Sequence, residues 1–343
     1  MKNFLIVGGG IAGCSLAYQL AQKGCQITVF DTGNNVSTKV AGGVMIPLVF
    51  RRMTKSWRVD DFLPYAKQFY GELEATSNQK ILYPMALRRF FSSNQERNYW
   101  LTRQNTPEFS TYMNEVNEED ETCFPYANKF GSGRVKECYR VDAEWMTTAL
   151  LNHPQITVVN QRFDYSALDA TTAIYQQKTY DCVVFCEGYE SISNPWFSYL
   201  NIDPTKGEVL TVKTTGLSNT EVLNRKCSAA PIGNSMYKIG ATYEWHTANT
   251  TVSEKGKNEL LEHLACLTDQ PVEVLDQVAG IRPTTVDRRP LMGLHPEFNK
   301  LAVFNGLGAK GFLLAPLLSK EMCAYLLEGK DLDKECVLQR IKV

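Results

Sequence analysis

Residues 1–32 constrain the fold of this chain more than any other stretch. The apolar run Phe4-Leu5-Ile6-Val7 leads directly into Gly8-Gly9-Gly10-Ile11-Ala12-Gly13. A helical pattern follows, with Leu16, Ala17, Leu20 and Ala21 on one face, and it stops at Gly24. A second apolar run, Ile27-Thr28-Val29-Phe30, ends on Asp31 and Thr32. Strand, glycine turn, helix and strand with a terminal acid make up a dinucleotide-binding unit in its required context. Gly8 permits the tight turn, Gly10 lets backbone approach a pyrophosphate, and Gly13 lets the helix pack close on the strands. The helix start offers unpaired N–H groups and partial positive charge to phosphates. Asp31 is placed to accept hydrogen bonds from a ribose diol. Together these residues point to a ligand with an adenosine diphosphate half.

At 343 residues the chain is long enough for about two domains and a large core. A hydrophobic fraction of 44% with 21% charged residues is that of a soluble globular protein. The formal net charge of -1 gives no global attraction to nucleic acid or to an anionic membrane. Arg51-Arg52 and Arg88-Arg89 are too short to be a polyanion footprint and read as a solvated face or a site-lining pair. The 10 cysteines are scattered, without a C-x-x-C pair or a histidine at metal-ligand spacing, so most read as reduced core residues in a reducing compartment. The apolar run at the N-terminus is too short, and too broken by glycine, for a secretion signal. Residues 312–327 are apolar but contain Pro316, Lys320 and Glu321, which argues against a membrane span. A cytoplasmic location is expected.

Further along, Ala41-Gly42-Gly43-Val44 reads as backbone lying against something flat or bulky. Residues 59–73 form an amphipathic helix with Phe62, Ala66, Phe69, Tyr70 and Leu73 on one face. Residues 80–83 and 86–91 read as two strands, 94–101 as a short helix, and 115–121 as an acidic surface loop. Asp142 is a good N-cap for a helix over 143–151, with a strand following at 156–159. Residues 172–176 and 181–186 form a hairpin or a return to the sheet, ending at Cys186-Glu187-Gly188. Strands over 208–213, 225–229 and 236–243 precede a helix over 253–267 capped by Ser253. A long strand over 272–281 leads to Arg282-Pro283. A short strand over 301–304 enters Asn305-Gly306-Leu307-Gly308-Ala309-Lys310-Gly311, followed by a helix to about residue 328.

Several of these motifs, in this order, resemble the FAD-dependent amino-acid oxidase family that includes glycine oxidase, D-amino-acid oxidase and sarcosine oxidase. They are Gly8–Gly13 with Asp31, Ala41-Gly42-Gly43, Cys186-Glu187-Gly188, Lys206-Gly207-Glu208, Gly240-Ala241-Thr242, and Gly280-Ile281-Arg282-Pro283 with Asp287 and Pro290. The glycine turn at 306–311, leading to Leu314-Ala315-Pro316, completes the set. The flavin hydroxylases share the first motif but usually carry a Gly-Asp phosphate motif before the last helix, which is absent here. The resemblance implies an α/β fold: a Rossmann-like FAD-binding domain with an inserted mixed, largely antiparallel β-sheet substrate domain. The corresponding boundaries are 1–48, 137–195 and 280–343 for the first, and 49–136 with 196–279 for the second.

The same resemblance implies an extended, noncovalent FAD. Gly8, Gly9, Gly10, Ile11, Ala12, Gly13, Asp31 and Thr32 would hold its nucleotide end, with the backbone near Phe163 at the adenine; Cys186, Glu187 and Gly188 would also bind the cofactor. Val40, Ala41, Gly42, Gly43 and Val44 would line the flavin ring. Gly306, Leu307, Gly308, Ala309, Lys310, Gly311 and Phe312 would hold the pyrimidine edge and ribityl chain at a helix start, where N–H groups stabilise reduced-flavin charge. Arg282 would pair with a substrate carboxylate, since guanidinium offers a planar two-donor fork; a structural ion pair with Asp287 is the alternative. Tyr243 would add a hydrogen bond, or be a core aromatic; alternation allows only one of Tyr243 and Glu244 to face inward. Arg51, Arg52 and Lys310 are cationic candidates near the cofactor or a substrate anion that read first as exposed charges, and His246 reads as a surface histidine. Met45 and Ile46 suit either the ring's apolar wall or the core.

The implied activity is oxidation of the C–N bond of a small amino or imino acid, by hydride transfer from Cα to flavin N5 and then imine hydrolysis, with oxygen or another acceptor taking the electrons. Two alternatives stay open: a flavoenzyme acting on a modified tRNA base or larger amine, and a non-catalytic FAD-binding protein. No metal and no nucleic-acid or membrane partner is expected. Two departures stand out. The turn reads Gly306-Leu307-Gly308 where the family commonly has Gly-His-Gly, and residues 49–136 match no member well.

Overall fold

The computed structural model describes residues 1–33, 36–114, 116 and 128–341. The expected acidic loop at 115–121 falls, apart from Val116, outside the described residues. The chain opens with β1 (Asn3–Val7), α1 (Ile11–Gln22) and β2 (Gln26–Phe30). α2 (Val36–Val40) and the short pieces β3 (Val44–Met45), β4 (Leu48–Val49) and β5 (Thr54–Lys55) lead to α3 (Val59–Ser77). β6 (Leu82–Phe90), α4 (Asn94–Gln104), β7 (Ser132–Val141), α5 (Ala143–Leu151) and β8 (Ile156–Val159) follow. A small meander of β9 (Leu168–Asp169), β10 (Ile174–Tyr175) and β11 (Lys178–Thr179) precedes β12 (Cys182–Phe185). Next come β13 (Asp203–Lys213), β14 (Glu221–Asn224), β15 (Ser228–Gly233), β16 (Met236–Gly240) and α6 (Glu254–Leu264). The last elements are β17 (Glu273–Thr284), β18 (Leu291–Leu294), β19 (Leu301–Asn305) and α7 (Gly311–Glu328).

Two sheets organise these elements. The first has six strands in the order β18-β19-β12-β1-β2-β8, parallel except for β18. Its central strands β1 and β12 are buried almost end to end, which is why they read as continuous apolar runs. α1 and α7 lie together on one face, with Leu16, Ala17, Leu20, Leu314, Leu318 and Met322 in the core, so the two ends of the chain close one layer. The second sheet has eight strands in the order β17-β13-β16-β15-β14-β6-β7-β3, antiparallel except where β14 meets β6. All of β7 and residues 280–284 of β17 belong to this second sheet.

Three helices, α4, α5 and α6, start where a side chain satisfies one of their first N–H groups. Asp142, Ser93 and Ser253 accept from Trp145, Glu96 and Gly256 respectively. Several expectations need correction. The strands expected at 80–83 and 86–91 are one strand, β6, with an irregularity between Met85 and Leu87 that kinks without breaking it. The strand expected at 225–229 straddles the turn between β14 and β15, where Arg225 N–H donates to Cys227 O. The strand expected to run to Tyr243 ends at Gly240, and the one expected to stop at Ile281 continues through Arg282 and Pro283. Pro283 is tolerated because β17 is an edge strand and its missing N–H removes nothing from the sheet. Arg88-Arg89 is neither a solvated face nor a site-lining pair. Arg88 Nε donates to Glu221 at 2.8 Å, Arg89 Nε to Glu96 at 2.7 Å, and both arginines are buried.

The Lys206-Gly207-Glu208 stretch of β13 ties helix to sheet. Glu208, 2% exposed, accepts from Ser253 N–H at 3.0 Å, Ser253 Oγ at 2.7 Å and Gln277 Nε2 at 2.6 Å, and pairs with buried Lys206 at 3.2 Å. Burial pushes the Glu208 pKa up, but the hydrogen bonds from Ser253, Gln277 and Lys206 outweigh it and hold the carboxyl below its ordinary value. A depressed folded pKa makes the carboxylate's contribution complete above the unfolded value and lost as pH falls through the folded one. Glu208→Ala is therefore expected to cost about 3 kcal/mol at neutral pH, because Lys206 loses its buried partner. Denaturant midpoints measure this, and the gap between wild type and Glu208→Gln should shrink as pH drops below the ordinary value of 4.5.

Candidate active site

A cavity of about 450 Å³ lies between the two sheets and is lined by residues from both ends of the chain. From the first glycine turn, Gly8, Gly10, Ile11 and Ala12 line it, followed by Asp31 and Thr32 at the end of β2. Val40, Ala41, Gly42, Gly43 and Val44 line it next, with Phe163 and with Cys186, Glu187 and Gly188 at the end of β12. Leu307, Gly308, Ala309, Gly311 and Phe312 close it at the start of α7, and Arg282 lies on the wall formed by the second sheet. Gly9, Gly13, Gly306, Lys310 and Tyr243 are off the wall.

The off-wall glycines serve packing. A Cβ at Gly13 would sit 1.9 Å from Gly8 O, so the first turn of α1 lies directly on the glycine turn. A Cβ at Gly9 would sit 2.1 Å from Asp31 Oδ2; Gly9 makes room for the Asp31 carboxylate, whose other oxygen accepts from Gly33 N–H at 3.0 Å. Gly8, at φ 102°, passes close to Cys186 O, and a Cβ there would lie 2.5 Å from it. Gly43 is set by its own sheet as well as by the cavity: its φ is 70°, and a Cβ would lie 2.1 Å from Val141 O. Gly308, at φ 54°, has open space where a Cβ would point. Gly10 gives α1 no side-chain cap, although Thr38 Oγ1 accepts from Ile11 N–H at 3.2 Å.

At the end nearest β12, Glu187 accepts from Tyr165 Oη and from Asn194 Nδ2, the latter at 2.7 Å. Burial pushes its pKa up to about 7, with those two hydrogen bonds opposing. Cys182 and Cys186 are buried thiols whose pKa values rise for the same reason, Cys182 to about 12, so neither holds a thiolate near neutral pH. Nine cysteines are free among the described residues.

Arg282 is a desolvated charged group on the cavity wall. Its guanidinium lies between Gly207 and the ring of Tyr243: a Cβ at Gly207 would be 2.2 Å from Nη2, and Cζ is 4.6 Å from the ring centroid. It donates to two backbone oxygens, Thr242 O at 3.3 Å and Lys206 O at 3.3 Å. No acid pairs with it among the described residues, and Asp287 instead pairs with Arg340 at 3.0 Å. Burial lowers its pKa, though an arginine stays charged. A desolvated guanidinium facing a cavity without a counter-charge is a site for an anion.

Other candidates fall elsewhere. Tyr243 is half exposed and acts through its ring face; Glu244 is exposed, with its backbone bridged to Lys206, so neither points into the cavity. Lys310, expected as an exposed charge, is instead partly buried and donates to Ser56 Oγ, and desolvation pushes its pKa down to about 8. Arg51 and Arg52 are exposed, as is His246, which lies 3.1 Å from Asp203. Met45 is core, whereas Ile46 reaches the cavity. Sequence reasoning missed Tyr165, Ser228 and Lys238 on the lining. Alternation along β15 and β16 could have placed Ser228 and Lys238 on one face, but only the sheet order shows which face meets the cavity.

The family model for DAO, FAD dependent oxidoreductase, matches residues 3–325. The chain belongs to this FAD-dependent oxidoreductase family. Glycine oxidase of Bacillus licheniformis is 24% identical over 97% of this chain and 95% of its own. The tRNA 5-methylaminomethyl-2-thiouridine biosynthesis bifunctional protein MnmC of Saccharophagus degradans is 22% identical over 94% of this chain, but only 52% of its own length is matched. Among solved structures, glycine oxidase from Geobacillus kaustophilus superposes with a TM-score of 0.80 at 21% identity, covering 97% of this chain and 96% of that one. The α/β fold with an FAD-binding part and a second sheet is thereby shared, and FAD is the family's cofactor. The residues fit it: the glycine turn leaves backbone room, Asp31 is held beside the turn, and the cavity runs from β1 to the start of α7. Among the described residues no helix is long and apolar enough to cross a membrane, and no cluster suits a metal ion.

Two glycine substitutions separate packing from ligand contact. Gly13→Ala drives a methyl into backbone and is expected to abolish folded, flavin-loaded protein. Gly207→Ala meets only the end of a flexible side chain. It is expected to retain flavin while affinity for a simple carboxylate, read from perturbation of the flavin spectrum, drops roughly tenfold as Arg282 is displaced.

Proposed function

We propose that this oxidoreductase oxidises the C–N bond of a small amino or imino acid whose carboxylate is held by Arg282. The observation that carries the reading is the Arg282 guanidinium, clamped between Gly207 and Tyr243, facing the cavity and lacking a paired acid among the described residues. Similarity to glycine oxidase along nearly the whole chain supports it. In this reading the first sheet with α1 and α7 carries the cofactor, and the second sheet carries the substrate.

Bound FAD supplies the acceptor for the hydrogen and electron pair that leave the substrate Cα. Gly8, Gly10 and Ile11 would hold its phosphates, Asp31 its ribose, and Ala41 to Val44 with Leu307 to Phe312 its ring end. Arg282 would take the substrate carboxylate in a two-donor fork, and the two backbone oxygens and the Tyr243 ring fix the direction of that fork. Gly207, Gly240 and Ala230 keep the wall low, leaving space for the substrate body. Val209, Val44 and Ile46 present apolar surface that excludes water and favours the neutral amine. With the amine already neutral no strong base is required, which agrees with a second-sheet wall that carries neither acid nor histidine among the described residues.

The decisive experiment is an anaerobic screen of amino acids, N-methyl amino acids, hydroxy acids and larger amines, read as bleaching of flavin absorbance. Bleaching by amino or imino acids supports the reading. Reduction only by a modified tRNA base, or by nothing in a broad amine panel, would refute it. Arg282→Met is expected to keep flavin content and lower kcat/KM by roughly a hundredfold, because a charge-assisted two-donor contact is lost. Unchanged steady-state kinetics would remove Arg282 from its assigned place.

A further inference from the structure

The charged residues lining the cavity divide by sheet. Asp31, Glu187, Glu190 and Arg162 lie at the strand ends of the first sheet. On the second sheet only cations line the wall, Arg282 on β17 and Lys238 on β16. Alternation explains why. Lys238 and Gly240 share a face of β16, Ser228 and Ala230 of β15, Gly207 and Val209 of β13, and Gly280 and Arg282 of β17; all line the cavity. Tyr237 and Ile239 point the other way, into a separate core. The acids of this region, Glu208 and Glu244, pair with Lys206 and leave Lys238 alone. Among the described residues Lys238 has neither an ion pair nor a side-chain hydrogen bond.

Lys238 is too far from Arg282 to serve the same anion. On the intervening β13, Arg282 pairs with Thr205 and Lys238 with Thr211. The guanidinium folds back over Gly207, four residues short of Thr211, which at about 3.4 Å per residue is roughly 14 Å. The strand spacing of about 4.8 Å runs at right angles to this and leaves the separation at roughly 14 Å. The lysine stem spans part of that gap, so the two charges can address two anionic groups separated by several bonds. Ser228 stands beside this path. Its oxygen accepts from Asn224 Nδ2 at 2.7 Å, which leaves its own hydrogen available to an anion.

We infer that the substrate carries a second anionic group, and that Lys238, aided by Ser228, is its specificity determinant. The substrate class is a dicarboxylic amino or imino acid, with the second carboxylate on either the side chain or an N-substituent. The inference rests on the proposed amino-acid activity, with Arg282 holding the first carboxylate. Lys238 binds and does not act on the reacting atoms; a small or neutral substrate would leave its charge unmatched.

The test uses the flavin-loaded enzyme and matched pairs of substrates. Glutamate against glutamine and aspartate against asparagine, in both enantiomers, examine a side-chain carboxylate. Iminodiacetate against N-methylglycine examines one carried on nitrogen. The charged member of at least one pair is expected to lead in kcat/KM by about tenfold or more, mainly through KM. Lys238→Met should bring that ratio close to one with flavin content retained, and Lys238→Arg should restore most of it. Equal kcat/KM within every pair would overturn the inference while leaving the amino-acid reading intact. So would a Lys238→Met effect that is the same for both members of each pair, since that marks a merely structural role. Failure of every amino and imino acid to bleach the flavin would overturn the parent reading, and this inference with it.

Discussion

The packing of α1 onto the glycine turn is the constraint on which the rest of the site depends. At Gly13 the helix backbone comes so close to Gly8 that any side chain would collide with a carbonyl. That contact seats the helix start at the cavity, above the parallel ladder of β1 with β2 and β12. Gly9 extends the same logic by letting the Asp31 carboxylate lie against the turn. This end of the cavity is therefore built from backbone proximity, which a single methyl group can destroy.

The second sheet works differently. Its inner face is kept low by Gly207, Gly240, Gly280 and Ala230, and it carries charge of one sign. Arg282 is held there by a carbonyl pair and an aromatic face, so its orientation is set without neutralising its charge. On the opposite face, Lys206 and Glu208 neutralise one another and anchor α6. One strand, β13, thus separates a satisfied ion pair on one side from an unsatisfied guanidinium on the other. Burying a lone charge is costly, and a structure that retains one at a cavity wall is organised for a ligand of opposite charge.

Some of this was legible in the residues. The motif carrying Arg282 was legible only through its resemblance to a known family, whereas the strand–turn–helix–strand unit, the N-caps at Asp142 and Ser253 and the helix at 59–73 follow from local periodicity and turn chemistry. The kinked unity of β6, the turn at Arg225 and the extension of β17 through Pro283 did not. Each depends on which strand lies alongside, and only an edge position makes Pro283 acceptable. Arg88-Arg89 shows the same limit: the partners Glu221 and Glu96 are brought in by the parallel pairing of β14 with β6 and by the cap of α4.

By itself the sequence determined that the N-terminus folds as strand, glycine turn, helix and strand, and that a second glycine turn starts the last helix, because tight turns and close helix packing need glycine at fixed spacing. Its resemblance to the amino-acid oxidase family pointed to Arg282 as the residue suited to a carboxylate. Only the tertiary structure decided that Arg282 has no paired acid among the described residues, that Lys238 shares its wall and that Lys310 is drawn inward. Those outcomes depend on strand order and on which face of a sheet meets the cavity, and period-two alternation along a strand names two faces without saying which one is inside.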